Sequence, residues 1–129
     1  MADGSTAKTV TRERLAAIGA AFASRDPAAI AACFAPDGVF RNAVGPDPWG
    51  RRYEGAEEIA GYFRALFAQT PDVRWEHTAE WVAGDRAVVE WRRTATLPDG
   101  TRQDWLGCDL YLFRGEAILL KDTYVKVVR

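Results

Sequence analysis

Two aspartates sit where the surrounding pattern carries apolar side chains: Asp109 in Gly107-Cys108-Asp109-Leu110-Tyr111 and Asp122 in Leu120-Lys121-Asp122-Thr123-Tyr124. Burying a carboxylate is costly unless it is paired or protonated. An apolar pocket disfavours the ionised form, and a protonated carboxyl can serve as a general acid. The single histidine, His77, falls between Trp75 and Trp81 on the apolar side of an alternating stretch. Histidine titrates near neutral pH, which suits proton transfer. These residue types point to acid–base chemistry on a small molecule. A structural reading stands beside each of them. Asp109 can pair with Arg92 or Arg93, Asp122 with an Arg or Lys across the sheet, and His77 can be a core histidine bonded to a neighbour.

Other chemistries lack their residues. Cys33 and Cys108 are far apart, have no metal-ligand spacing and read as free thiols of a cytoplasmic protein. Gly45-Pro46-Asp47-Pro48-Trp49-Gly50 is followed by neither the Lys nor the Ser/Thr of a phosphate loop. No metal and no cofactor are expected. The formal net charge of -1 offers no basic surface for nucleic acid. No apolar run approaches a membrane span, and the opening residues lack the apolar core of a secretory signal.

The elements that must position the aspartates form the last third of the chain. Residues 86–97, 102–114 and 116–128 read as three long strands. Pro98-Asp99-Gly100 joins the first pair and Arg114-Gly115 the second, both strong hairpin signals. A fourth strand over 73–82 alternates Val73, Trp75, His77, Ala79 and Trp81 against Arg74, Glu76, Thr78 and Glu80. Ahead of it come a helix from Thr11 with Leu15, Ile18 and Phe22 on one stripe, and a short helix over 27–34 capped by Asp26. A short strand over 39–42, a loop over 43–54 and a third helix over 56–69 follow. A loose tail over 1–9 and one domain over 10–129 are expected. The fold class is α+β, an antiparallel sheet covered on its concave face by three N-terminal helices. The last strand is apolar on both faces, and nothing left in the chain covers the convex side. A homodimer through the sheet is therefore expected.

The order of Phe34-Ala35-Pro36-Asp37-Gly38-Val39-Phe40 after two helices, Tyr53-Glu54-Gly55-Ala56-Glu57-Glu58-Ile59 at the third, and Gly107 to Phe113 before Ile118 to Tyr124 resembles the nuclear transport factor 2-like superfamily, in its SnoaL-like branch. The resemblance covers nearly the whole chain after the tail. It implies a cone-shaped curved sheet with a deep apolar pocket between sheet and helices. It does not fix the reaction, because this fold hosts isomerases, cyclases, dehydratases, epoxide hydrolases and non-catalytic modules.

Family positions can be matched residue by residue. Against the ketosteroid isomerases, the general-base Asp falls at Asn42 and the oxyanion-hole Tyr at Ile18, and Asp109 alone matches the oxyanion-hole Asp. Against the limonene-type epoxide hydrolases, Asn42 matches the water-holding Asn, Asp122 the catalytic Asp and Arg92 the Arg, while Thr94 and Phe40 depart from the pattern. Polyketide cyclases of the fold need only an acid–base group in an aromatic pocket, for which His77 is available.

The expected catalytic set is thus Asp109, Asp122, His77 and Asn42. The expected substrate-binding set is Phe40, Trp49, Tyr53, Tyr62, Arg92, Trp105, Tyr111 and Tyr124, with Trp49 and Tyr53 closing one end of the cone. Arg92 carries an open question, since Ala87, Val89, Trp91, Ala95 and Leu97 form the other, apolar face of its strand. The reading that follows is a cofactor-independent isomerase, cyclase, dehydratase or hydrolase acting on a small apolar ligand. Its alternatives are a non-catalytic ligand-binding or dimerisation module, or partner binding through an exposed convex sheet. The first two separate on whether Asp109 and Asp122 share one cavity.

Overall fold

The computed structural model describes residues 9–128, so the expected tail lies almost wholly outside the described residues. Helix α1 spans Arg12–Ala23, α2 Pro27–Ala31 and α3 Gly55–Gln69. The strands are β1 Phe34–Arg41, β2 Arg52–Glu54, β3 Arg74–Ala83, β4 Arg86–Thr96, β5 Arg102–Arg114 and β6 Ala117–Val125. Thr11 Oγ1 accepts the Arg14 N–H at 3.1 Å and Asp26 Oδ1 accepts the Ala28 N–H at 3.0 Å, so both first helices start on side-chain caps. At α3 the Glu58 carboxylate reaches back to the Glu54 N–H at 2.9 Å.

One curved, unclosed sheet runs in the order β2-β1-β6-β5-β4-β3. Every pairing is antiparallel except β1 with β6, which is parallel. The expectation of a wholly antiparallel sheet is corrected there: β1 starts at Phe34, directly after α2, and runs alongside the last strand. The second helix ends at Ala31, earlier than expected, and the segment expected to be all loop contributes β2. The hairpin glycines Gly84, Gly100 and Gly115 take positive φ of 63°, 89° and 63°, the conformation these turns require.

Leu15, Ile18 and Phe22 of α1, Ile30 of α2, and Ile59 and Phe63 of α3 pack on Val89, Trp91, Tyr111, Phe113 and Ile118 of the sheet. This is the α+β arrangement expected, helices on one face of a curved sheet. Two β-bulges decide what else faces them. In β3 the register slips at Thr78, pairing His77 with Trp91 but Ala79 with Glu90. In β6 it slips at Leu119, pairing Ile118 with Phe113 but Leu120 with Leu112. An extra residue in a strand reverses the alternation beyond it. Trp81 therefore turns to the convex face, where it is 55% exposed. Beyond Leu119, Lys121, Thr123 and Val125 point inward, and Leu120, Asp122 and Tyr124 point outward.

Candidate functional site

Between the sheet and α3 lies a cavity of about 440 Å³. Its walls are apolar and aromatic, with Phe40, Tyr62, Trp75, Trp91 and Trp105 among them, and its polar side chains include Asn42, Arg93, Gln103, Lys121 and Thr123. A second, water-sized cavity of about 30 Å³ lies behind it, lined by Ile18, Phe22, His77, Asp109 and Tyr111. Trp75, Trp91 and Lys121 border both.

Lys121 and Asp109 form the polar centre. The register places Lys121 opposite Tyr111 and Thr123 opposite Asp109, all on the inward face. Lys121 Nζ donates to Asp109 Oδ1 at 2.9 Å, with the two side chains only 7% and 8% exposed. Thr123 Oγ1 accepts from Lys121 Nζ at 2.9 Å and donates to Asp109 Oδ1 at 2.6 Å. Trp91 Nε1 donates to Asp109 Oδ2 at 2.9 Å. Three donors thus converge on one carboxylate, the condition under which a buried charge is tolerated. The ammonium also stands 4.5 Å from the Phe40 ring centroid and 5.4 Å from that of Phe22, within cation–π range.

Gly107 makes this centre possible. A Cβ there would sit 2.8 Å from Trp91 Cζ3, so the indole lies over bare backbone and its N–H reaches Asp109. Tyr111, beside Asp109, is fully enclosed; burial first and the Asp109 carboxylate second push its phenol well above the ordinary value. The second cation on the inward face is Arg93. It is 7% exposed, its Nη1 donates to Gln103 Oε1 at 2.8 Å, and its guanidinium stacks 4.6 Å from the Trp105 ring centroid. Burial pulls its pKa below the usual arginine value.

The structure divides the expected site residues. Phe40, Asn42, Tyr62 and Trp105 line the large cavity. Asn42 Nδ2 donates to Tyr62 Oη at 3.3 Å, and burial raises the Tyr62 pKa. Asp109, His77 and Tyr111 line the small cavity. The His77 ring lies against Gly19 of α1, where a Cβ would be 3.0 Å from its Cε1. Tyr53 stacks on Phe40 with ring centroids 5.7 Å apart and supports the cavity wall from outside.

Besides Tyr53, four expected site residues line neither cavity. Asp122 faces outward because of the Leu119 bulge and approaches Arg41 Nη1 at 3.7 Å. The two aspartates therefore point to opposite faces of the sheet. Tyr124, 54% exposed, is turned out by the same bulge. Arg92 lies on the outward face of β4, as simple alternation requires, and forms a two-point ion pair with Asp104 at 2.7 and 2.5 Å. Trp49, 53% exposed, sits in the loop before β2. Asp109's charged partner is Lys121, in place of either arginine expected from the sequence.

Sequence reasoning missed Lys121, Thr123 and Arg93. The first two were hidden by the bulge. Arg93 left a readable signal, because it is the one charged residue in the inward series Ala87, Val89, Trp91, Arg93, Ala95. Among the described residues no group of His, Cys, Asp and Glu could hold a metal ion, and no helix is long and apolar enough to cross a membrane.

Comparison with known proteins agrees with the fold. The family model described as SnoaL-like domain matches residues 15–120. A protein with a ketosteroid isomerase-like fold from Catenulispora acidiphila DSM 44928, solved in complex with trimethylamine, is 26% identical with a TM-score of 0.79, covering 89% of this chain and 86% of that one. A nuclear transport factor 2-like protein of unknown function from Mesorhizobium loti is 30% identical with a TM-score of 0.71, covering 89% of both chains. A candidate polyketide cyclase from Sinorhizobium meliloti shares the fold at 19% identity and a TM-score of 0.69, covering 90% of this chain and 95% of that one. No curated protein matches the chain. A curved, unclosed sheet with helices on its inner face, in a chain matched by that model over most of its length, makes this protein a member of the SnoaL-like domain family, on the nuclear transport factor 2-like fold.

Proposed function

We propose that this protein binds a small, largely apolar organic molecule in the 440 Å³ cavity and acts on it without a cofactor, by acid–base chemistry centred on Lys121. The observation that carries this reading is the Lys121 ammonium, buried among aromatic rings and bordering the cavity. An ammonium has three N–H donors. Two are engaged by Asp109 and Thr123, and the third has no partner among the described residues. A donor held in an apolar cavity stabilises negative charge developing on a substrate carbonyl oxygen, as in formation of an enolate. The α-proton passes to a water molecule in the cavity, because among the described lining residues no carboxylate or imidazole is there to take it. Asp109 holds the ammonium in place and balances its charge. Such a step serves isomerisation, cyclisation and dehydration alike. A two-carboxylate hydrolysis using Asp122 is not supported, since Asp122 faces away.

The test is α-proton exchange of 2-tetralone in D2O, followed by NMR. The reading expects exchange accelerated by the protein and lost in Lys121→Met. Two observations favour a non-catalytic ligand-binding module: Asp109 and Asp122 do not share a cavity, and among the described lining residues of the large cavity none is Asp, Glu or His. Binding of 2-tetralone with no acceleration of exchange would select that module.

We also propose that the protein is a homodimer joined through its convex sheet face. Trp81, Leu106, Leu110 and Tyr124 are between 40% and 55% exposed there, an apolar area of the kind that a second copy buries. Trp81, Val88 and Leu110 are direct cross-strand neighbours, so the area is continuous. A monomer at micromolar concentration would instead favour a different partner on this face.

A further inference from the structure

We propose that Arg93 anchors a carboxylate of the ligand, so that the molecule held in the cavity is an organic acid with an apolar body. This deepens the small-molecule reading above and rests on it. Three cationic side chains border the large cavity, Arg93, Lys121 and Lys126, and no anionic one does among the described residues. Lys121 is already neutralised by Asp109 at 2.9 Å. Lys126 is exposed, so water solvates its charge. Arg93 is buried and has no contact counter-charge: it is 7% exposed, Asp72 acts on it only at longer range, and among the described residues no carboxylate forms an ion pair with it.

A buried cation without a counter-charge is unfavourable, and a ligand anion removes that cost. The shape of the group selects the anion. A guanidinium offers five N–H donors in a planar fork that matches a carboxylate at two points. The Gln103 amide takes one of those donors, and the Trp105 ring holds the plane in place by stacking. On β5 the partners of Arg93 and Lys121 are Trp105 and Tyr111. They are six residues apart in the sequence, so the two side chains leave the sheet at different levels. Lys121 already has Asp109 as its carboxylate partner, which leaves Arg93 for a carboxylate of the ligand. The acid group lies at the Arg93 end, leaving Lys121 for another polar atom of the same molecule.

Isothermal titration with two matched probes, 2-naphthoate and its neutral analogue 2-naphthamide, tests this. A charge-assisted pair predicts that the carboxylate binds about 10- to 100-fold more tightly than the amide. Arg93→Gln should erase that preference while leaving amide binding in place, Arg93→Lys should keep part of it, and Lys121→Met should keep it. Equal binding of both probes by the wild-type protein would overturn the anchor and leave the pocket standing. Preference retained in Arg93→Gln, or lost only in Lys121→Met, would also overturn it. If the wild-type protein binds neither probe, the pocket reading and the anchor fall together. Should Arg93→Gln not fold, as judged by circular dichroism, the wild-type preference and its weakening in Arg93→Lys decide the matter.

Discussion

Removing one member of the buried Asp109–Lys121 pair should cost far more than removing both. In Asp109→Leu the Lys121 ammonium loses its counter-charge in a site where its side chain is 7% exposed. Breaking a buried pair in this way costs about 3–5 kcal/mol. The Trp91 indole N–H, bonded to Asp109 at 2.9 Å, also loses its acceptor, which adds about 1–3 kcal/mol where no water replaces it. The two losses overlap as the site relaxes, so we expect about 4–6 kcal/mol in total. Lys121→Met is milder, about 3 kcal/mol, because Asp109 keeps Trp91 and Thr123 as donors. With an unfolding entropy of about 2.1 cal/mol/K per residue, 129 residues give about 0.27 kcal/mol/K, so 4 kcal/mol lowers Tm by about 15 °C. The double variant removes both charges and puts apolar groups of similar size in an aromatic setting. Its stability should lie within about 2 kcal/mol of the wild-type protein. The assay is urea unfolding followed by tryptophan fluorescence on the four proteins of the cycle. A coupling energy of about 2 kcal/mol or more is expected. A double variant as unstable as the sum of the singles would refute the reasoning, because the pair would then contribute nothing through its own contact.

Four further outcomes follow from the same geometry. Gly107→Ala should displace the Trp91 indole, weaken the near-ultraviolet circular dichroism signal and destabilise by about 1–3 kcal/mol; an unchanged spectrum would count against the close approach. Asp72 accepts from the Thr96 N–H at 2.8 Å and Thr96 Oγ1 at 2.7 Å, and these bonds hold its carboxyl below the ordinary aspartate value. A depressed folded-state pKa gives stability that is present above the unfolded value and is lost as pH falls through the folded one. Thermal melts from about pH 5 down to pH 2 should therefore show Asp72→Asn losing less stability than the wild-type protein across that window. Tyr111 is held protonated well above the ordinary tyrosine range, so Tyr111→Phe should leave the phenolate absorbance rise near pH 10 unchanged in the folded protein. Leu110→Glu, on the convex face, should convert a dimer to a monomer by light scattering without altering the fold; a wild-type monomer would contradict the proposed interface.

Much of the fold was legible because its alternation is regular. In β4, Ala87, Val89, Trp91 and Ala95 marked one apolar face and put Arg92 on the other, while alternation alone left open which of the two meets the helices. The turn glycines fixed the hairpins. Asp109 was identifiable as a carboxylate on an apolar face because β5 runs without interruption from Arg102 to Arg114. The site itself was only half legible. A bulge depends on how neighbouring strands meet, so no local composition announced the slip at Leu119 that exchanged Asp122 for Lys121. The slip at Thr78 likewise left His77 on the helix-facing side, where it is exposed and not the core histidine its strand pattern suggested, and sent Trp81 out. β1 was shortened in the reading because its parallel pairing with β6 is a long-range contact, formed across more than eighty residues of chain. Arg93 was visible and was read as a partner for Asp109, because a strand pattern gives the face of a residue and not its neighbour.

The central claim is that the cavity between sheet and helices holds a small molecule against its tryptophans. Its most direct test is a two-dimensional NMR spectrum of the indole N–H groups, recorded with and without saturating 2-naphthoate. The chain has five tryptophans, of which Trp75, Trp91 and Trp105 line the cavity while Trp49 and Trp81 are exposed elsewhere. The three lining resonances should move and the other two stay. Movement confined to Trp49 and Trp81, or no movement at all, would contradict it.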